Sequence, residues 1–181
     1  MGQLKFQKNI MHFFMMVFFF LLIAYFPALK NFEDYFIYFA TALFSLHFWY
    51  GAVFLIKTLG PTKNIFEFPI DFSILALKVW SIYTITIMPL WFLVNGVLMG
   101  FGVLKYHLAS KRGYAKKKEG YILKKIAIEL FSVSAFFIAA VLAWRLDIVL
   151  FKRILSVTAL GIQFPFLFWM FFKKKVYKIA K

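Results

Sequence analysis

The sequence predicts an all-α, polytopic transmembrane helical bundle of about five spans. Hydrophobic residues make up 64% of the 181 residues, and the mean hydropathy is +0.81, whereas apolar usage in soluble domains is nearer one half. Several apolar runs reach the roughly 18–20 residues that a helix needs to cross ~30 Å of hydrocarbon. These runs are continuous, unlike the alternating strands of a membrane β-barrel. One transmembrane domain therefore takes up residues 1–181.

The first two spans are predicted at 10–29 and 35–56. Lys5 and Lys8 precede the first run, as in a signal peptide. The run is nevertheless long for the apolar core of such a peptide, and it lacks the small-residue exit that marks cleavage. Because the linker between the two spans is short, we expect them to be antiparallel neighbours.

The other three spans are predicted at 79–104, 126–144 and 154–172. The segment 57–77 is too polar to cross a membrane, and its second half mixes aromatic and charged residues. That mixture is typical of a segment lying in the membrane interface. Pro89 is expected to kink the third span, because a proline inside a helix removes a backbone hydrogen bond.

The net charge of +15 is concentrated beside the spans rather than within them. A basic cytoplasmic loop is predicted at 105–125, and a basic tail follows at 173–181. Under the positive-inside rule both face the cytoplasm of a cell (inner or plasma) membrane, which puts the C-terminus inside and the N-terminus, three spans before the loop, outside. Lys5 and Lys8 argue against that side for the N-terminus. If the first run lies in the interface, four spans remain and the N-terminus is cytoplasmic.

Two lysine clusters are the predicted partner surfaces. Their position beside membrane spans favours a bilayer with anionic headgroups, or an acidic partner such as another membrane subunit, over nucleic acid. The clusters are Lys116, Lys117, Lys118, Lys173, Lys174 and Lys175.

His47 is the ionisable side chain that lies deepest in a predicted span, which makes it the first candidate for a functional residue. Gly51 follows one helical turn later, so a flat ligand or another helix can approach beside the imidazole. Two interpretations stay open: a neutral histidine hydrogen-bonded to a neighbouring helix, or a contact to haem b or a quinone. His12 and His107 are not expected at the depth of a second haem ligand.

The remaining polar and small residues of the spans predict packing or surface roles. Gly96 and Gly100 form a GxxxG pattern that lets two helices approach closely. Glu129 is spaced to pair with Lys125 at the surface, whereas Asp71 and Lys78 are expected to extend to the interface.

No catalytic residues and no metal site are predicted from the sequence. Nucleophilic triads, metal-ligand spacings and nucleotide-binding fingerprints do not occur in it. Cysteine does not occur either, which excludes thiolate ligands.

Several segments resemble the superfamily of the copper-resistance D proteins and the HemJ-like protoporphyrinogen oxidases. They are Leu46-His47-Phe48-Trp49-Tyr50-Gly51-Ala52, Lys57 with Gly60-Pro61, Met88-Pro89-Leu90 to Asn95-Gly96, and Tyr121 to Lys125. The resemblance covers about 39–142. It implies a compact helical bundle in which His47 matches a haem-ligating histidine and Lys125 a structural lysine. The chain departs from the HemJ-like pattern in having Lys57 where an arginine is expected and no histidine in spans three to five.

Three functions are therefore weighed. The leading one is a non-catalytic subunit or accessory protein of a larger membrane complex. The alternatives are a haem-binding or redox membrane protein using His47, and a small-solute transporter, which the lack of acidic residues at span centres disfavours.

Overall fold

The computed structural model describes residues 2–59, 67–113, 117–144 and 148–164, and this part of the chain is helical without any strand. The all-α prediction is therefore confirmed for the described residues. A short 3-10 helix, Phe26–Ala28, follows the first α-helix. The six α-helices are α1 (Gly2–Tyr25), α2 (Phe32–Leu59), α3 (Glu67–Tyr83), α4 (Met88–Gly113), α5 (Lys117–Ala143) and α6 (Val149–Gly161).

Four stretches within the described residues are long and apolar enough to cross a membrane: Asn9–Ala28, Phe32–Val53, Met88–Lys111 and Ile126–Ala143. They belong to α1, α2, α4 and α5. The stretch in α4 is 56% buried inside the bundle and the stretch in α1 only 11%, so α4 is central and α1 peripheral. The predicted fifth span, 154–172, begins in α6 and continues into residues outside the described part of the chain.

The predicted third span, 79–104, is divided in the structure between α3 and α4. Residues 84–87 form a turn, and Pro89 lies in the first turn of α4, where a proline has no helical hydrogen bond to lose. At the end of α3 the hydroxyls of Ser81 and Thr84 donate to the carbonyls of Lys78 and Ser81. Pro89 therefore begins a helix, and the prediction of a kinked single span is wrong.

The two helices on either side of this turn form an antiparallel hairpin. Lys105, late in α4, contacts Glu67 and Asp71 at the start of α3. The segment predicted to lie in the interface thus contributes a helix that packs lengthwise on α4. The basic loop predicted at 105–125 is likewise largely helical, because α4 continues to Gly113 and α5 begins at Lys117.

The start of α2 shows how a local signal sets a helix boundary. The Asp34 carboxylate accepts hydrogen bonds from the backbone N–H groups of Lys30 and Asn31, both at 3.0 Å. An acid three residues into a helix satisfies N–H groups that the helix itself leaves open. The chain therefore reverses direction between α1 and α2 without exposing these donors.

Aromatic rings fill the centre of the bundle where α2, α4 and α5 meet. Trp91, Phe92 and Phe137 are fully buried, and the ring of Phe44 packs edge-on against Phe137 with centroids 5.3 Å apart. Helices in lipid gain little from the hydrophobic effect when they associate, so shape complementarity and hydrogen bonds hold them together. This aromatic packing and the polar contacts between helices together hold the bundle.

Candidate functional site

His47 lies in the middle of α2 and faces α6. Its Nδ1 atom is 3.0 Å from Oε1 of Gln163, a fully buried residue whose Nε2 donates to the Ala159 carbonyl at 3.2 Å. Because the amide nitrogen is engaged with its own helix, Oε1 faces the ring and the imidazole donates from Nδ1. His47 therefore links α2 to the residues just after α6 through a hydrogen bond between two side chains.

Gly51 is buried one turn after His47, and Tyr106 of α4 lies directly against it. The Tyr106 hydroxyl occupies the position that a β-carbon on residue 51 would take. The ring itself packs in a small cluster with Leu55, Ala109 and Ala127. The space at Gly51, which the sequence suggests as the approach of a flat ligand, is filled by a side chain of the protein.

His12 of α1 contacts Trp49, two residues beyond His47. The indole Nε1–H donates to Nδ1 of His12 at 3.2 Å, and the two ring centroids are 5.4 Å apart. A nitrogen that accepts a hydrogen bond carries no proton, so the His12 ring has its proton on Nε2. His12 thus joins α1 to α2, whereas His107 is exposed near the end of α4.

The sequence prediction for the position of Lys78 is wrong. It was expected to extend to the interface, but it is buried between helices. Its ammonium donates to the Ser45 carbonyl of α2 at 3.2 Å and lies 4.7 Å from the centroid of the Phe48 ring. The Phe18 ring of α1 is 5.8 Å away. The prediction failed because α3 runs along the bundle rather than at its edge.

A second buried polar group joins α2 to α4. Trp91 donates from Nε1 to the Thr41 hydroxyl at 2.8 Å, and that hydroxyl donates to the Ile37 carbonyl at 2.7 Å. Asn95, one turn after Trp91, donates to the Trp91 carbonyl at 2.9 Å. These donors are satisfied inside the bundle, as a low-dielectric surrounding requires.

The GxxxG glycines lie on α4 where it meets α5. A β-carbon at Gly96 would come within 2.7 Å of Ile138 Cδ1, whereas at Gly100 the nearest atom is the Ser134 hydroxyl at 3.9 Å. Ser134 also donates to the Gly96 carbonyl at 2.7 Å. The close approach is thus made within one chain, and it depends on Gly96 more than on Gly100.

Lys105 forms a third polar contact with the start of α3. Its ammonium is 3.2 Å from Glu67 Oε2 and 2.7 Å from Asp71 Oδ2. Glu67 is almost fully buried, whereas the Asp71 side chain is partly exposed. The sequence places Lys105 in the predicted basic loop and does not predict its role in the α3–α4 hairpin.

The predicted lysine surfaces fall mostly outside the described residues. Lys116 and the tail with Lys173, Lys174 and Lys175 lie beyond them. Lys117 and Lys118 begin α5, but their side chains, like that of Lys125, are not among those described. The predicted pair of Glu129 with Lys125 stays a prediction for the same reason.

The residues that sequence reasoning missed share a recognisable signal. Lys78 is a single cation between apolar stretches, and Gln163 is a single amide within the predicted fifth span. An isolated polar residue in a membrane helix has a partner inside the protein more often than it faces lipid. The sequence gives no information about which helix carries that partner.

Four helices that are long and apolar enough to cross a membrane indicate the class of the protein, an α-helical membrane protein. Within the described residues, no group of three or more His, Asp or Glu side chains is placed to hold a metal ion. The chain matches no protein-family model, no curated protein and no solved structure. The resemblance to the copper-resistance D and HemJ-like proteins therefore stays a prediction.

Proposed function

We propose that the protein is a multi-pass protein of the cell membrane that serves as a non-catalytic subunit or accessory protein of a larger membrane complex. One observation carries this proposal. The position with the strongest sequence claim to chemistry, His47 with Gly51, is occupied by Gln163 and Tyr106 of the chain itself. Both side chains connect helices there.

The other buried polar groups support the same interpretation. Lys78 holds α3 against α2, and the hydrogen bond from Trp91 to Thr41 holds α4 against α2. Polar side chains between membrane helices commonly act as such links. A scaffold of this kind presents surfaces to partners rather than reacting groups to a substrate.

The outward face of α1 is the surface proposed to meet a transmembrane helix of another subunit. Its large apolar side chains recur at helical spacing, and Phe13, Met16, Phe20 and Ile23 are between 61% and 72% exposed. The opposite side of the helix carries Phe18, which is buried in the bundle. Because so little of α1 is covered by its own chain, a partner helix has a continuous apolar face to pack against.

A haem or quinone at His47 is the competing function, and the position of Tyr106 against Gly51 argues against it. A flat ligand stacked beside Gly51 requires the volume that the Tyr106 ring and hydroxyl fill. We therefore derive no reaction step through such a group.

The proposal is tested by purifying the protein from its own membranes in a mild detergent. We expect a colourless sample in which larger membrane polypeptides are present at fixed stoichiometry. Phe13→Ala combined with Phe20→Ala should release them, because both changes remove aromatic area from the α1 face. The matched control is Phe131→Ala combined with Leu142→Ala, which removes exposed apolar area from α5.

Two outcomes would contradict the proposal. If the protein from native membranes and both variants are monodisperse and carry no other polypeptide, the protein is not a subunit of a larger complex. A Soret band that disappears in His47→Ala shows instead that the histidine binds haem.

A further inference from the structure

Four helices, not three, separate the N-terminus from the connection between α4 and α5. The ends of α1 and α3 lie together, since the Tyr25 hydroxyl is hydrogen-bonded to Thr86 in the turn after α3. The start of α3 lies beside the late part of α4 through Lys105. Helices α1 to α4 therefore alternate in direction. The start of α1 lies at the same end of the bundle as the end of α4 and the start of α5.

That end, here called the basic end, carries most of the cationic residues among those described. It comprises the starts of α1, α3 and α5 and the ends of α2 and α4. Its acids in α3, Glu67 and Asp71, are engaged by Lys105. Its further cationic positions are Lys5, Lys8, Lys57, Lys111, Arg112, Lys117, Lys118, Lys124 and Lys125.

The opposite end has far fewer cations in the described residues, and two of them have contacts within the chain. Arg153 is paired with Glu33 at 2.9 Å. Lys152 lies over the Trp144 ring, 5.6 Å from its centroid. Lys30 is also exposed there. The described part of the bundle is therefore strongly asymmetric in charge from one end to the other.

We propose that the basic end lies at the cytoplasmic face, binds the headgroups of anionic phospholipids in that leaflet, and thereby holds the N-terminus in the cytoplasm. Excess lysine and arginine mark the cytoplasmic side of a membrane protein, and each such residue near an anionic surface contributes about 1 kcal/mol of attraction. Lys5 and Lys8, which opposed an outside N-terminus, agree with this orientation.

Phospholipids are the occupant that the positions of the exposed lysines favour. Lys111 is the last residue of the membrane-spanning stretch of α4, and Lys124 lies two residues before that of α5. Both are exposed. Side chains at these positions reach the headgroup layer, where long cationic side chains extend from helix ends.

This inference rests on membrane insertion, as the proposed function does, but it does not depend on a partner subunit. Because the sequence has no cysteine, single cysteines report topology without background. Phe6→Cys, Lys111→Cys and Lys30→Cys are labelled with a membrane-impermeant maleimide in intact cells and in inverted vesicles. We expect Phe6→Cys and Lys111→Cys to react only in inverted vesicles and Lys30→Cys only in intact cells.

Lipid binding is measured by titrating the detergent-purified protein with fluorescent phosphatidylglycerol or phosphatidylcholine. Phosphatidylglycerol should bind more tightly, and added salt should weaken its binding. Lys111→Gln combined with Lys124→Gln should lower its affinity roughly 25-fold, about fivefold per lysine. Lys30→Gln is the matched control at the opposite end and should leave the affinity unchanged.

Each outcome bears on a separate statement. If Phe6→Cys and Lys111→Cys are labelled from opposite sides, the start of α1 and the end of α4 do not lie at the same end of the bundle. If both are labelled from outside, the basic end does not lie at the cytoplasmic face. Equal binding of the two lipids, or equal loss in the Lys30→Gln control, overturns the lipid site. Recovery of the protein in the soluble fraction would refute membrane insertion and with it both proposals. Purification without any partner subunit would refute only the proposed function.

Discussion

Replacing Gly51 by alanine measures whether the space beside His47 is filled. In an unobstructed helix interior, Gly→Ala stabilises by about 1 kcal/mol. Here the added methyl group would overlap the Tyr106 hydroxyl. The Tyr106 ring is held by Leu55, Ala109 and Ala127 and therefore moves only if that cluster repacks. Overpacking of this kind costs about 1–3 kcal/mol. With the cost near its upper end because of the overlap, we expect a net loss of about 1–2 kcal/mol.

The double variant separates this steric effect from other consequences of the substitution. Tyr106→Phe removes the overlapping oxygen, and the nearest remaining atom, Cζ, is 3.4 Å from the position that the methyl group on residue 51 would take, an ordinary contact distance. Tyr106→Phe alone should cost no more than about 1.5 kcal/mol, the net value of a hydrogen bond. The two changes together should therefore be less harmful than Gly51→Ala alone, with a favourable coupling of about 2–3 kcal/mol.

The assay is thermal unfolding of the detergent-purified variants. For a chain of this size, 1 kcal/mol corresponds to about 2–4 °C in Tm, so Gly51→Ala should lower Tm by about 2–8 °C. A Tm raised by a few degrees in Gly51→Ala would refute the reasoning, since it would show open space beside His47. An additive double variant would show that Tyr106 is not the obstacle.

Two further changes test the other helix contacts with internal controls. Gly96→Ala should lower Tm slightly, because its methyl group would displace the end of the Ile138 side chain, which is 40% exposed and can shift. Gly100→Ala should leave Tm unchanged or raise it slightly. Lys105→Met should cost about 3–5 kcal/mol in unfolding free energy, because it removes the ammonium from a buried carboxylate. Arg153→Gln, at an exposed ion pair, should cost less than about 1 kcal/mol; equal losses in either comparison would contradict the assigned contacts.

The sequence predicts the helical class and the membrane environment because both follow from composition and from the length of apolar runs. The helix boundaries near Pro89 follow less directly. A proline within an apolar run is compatible with a kink or with a new helix start. The choice depends on whether α3 packs against α4. The contact of Lys105 with Glu67 that joins these helices is between residues 38 positions apart, so no local pattern predicts it.

The candidate site shows the same division between local and tertiary information. The importance of His47 follows from its depth in an apolar run, and the need for space at Gly51 follows from its missing side chain. Their partners are Gln163, two residues after the end of α6, and Tyr106 of α4. No local pattern specifies these partners, because helix packing selects them.

One physical requirement accounts for the polar interior of this bundle. In hydrocarbon, an unsatisfied polar group costs several kcal/mol, so a polar side chain in a membrane helix is retained where another helix supplies a partner. Lys78 with the Ser45 carbonyl, Trp91 with Thr41, and His47 with Gln163 each meet that condition across two helices. A polar residue within a span therefore indicates, in the first place, a contact with another helix. A functional role for such a residue requires a second observation, such as a bound chromophore or a measured flux, that helix packing alone does not produce.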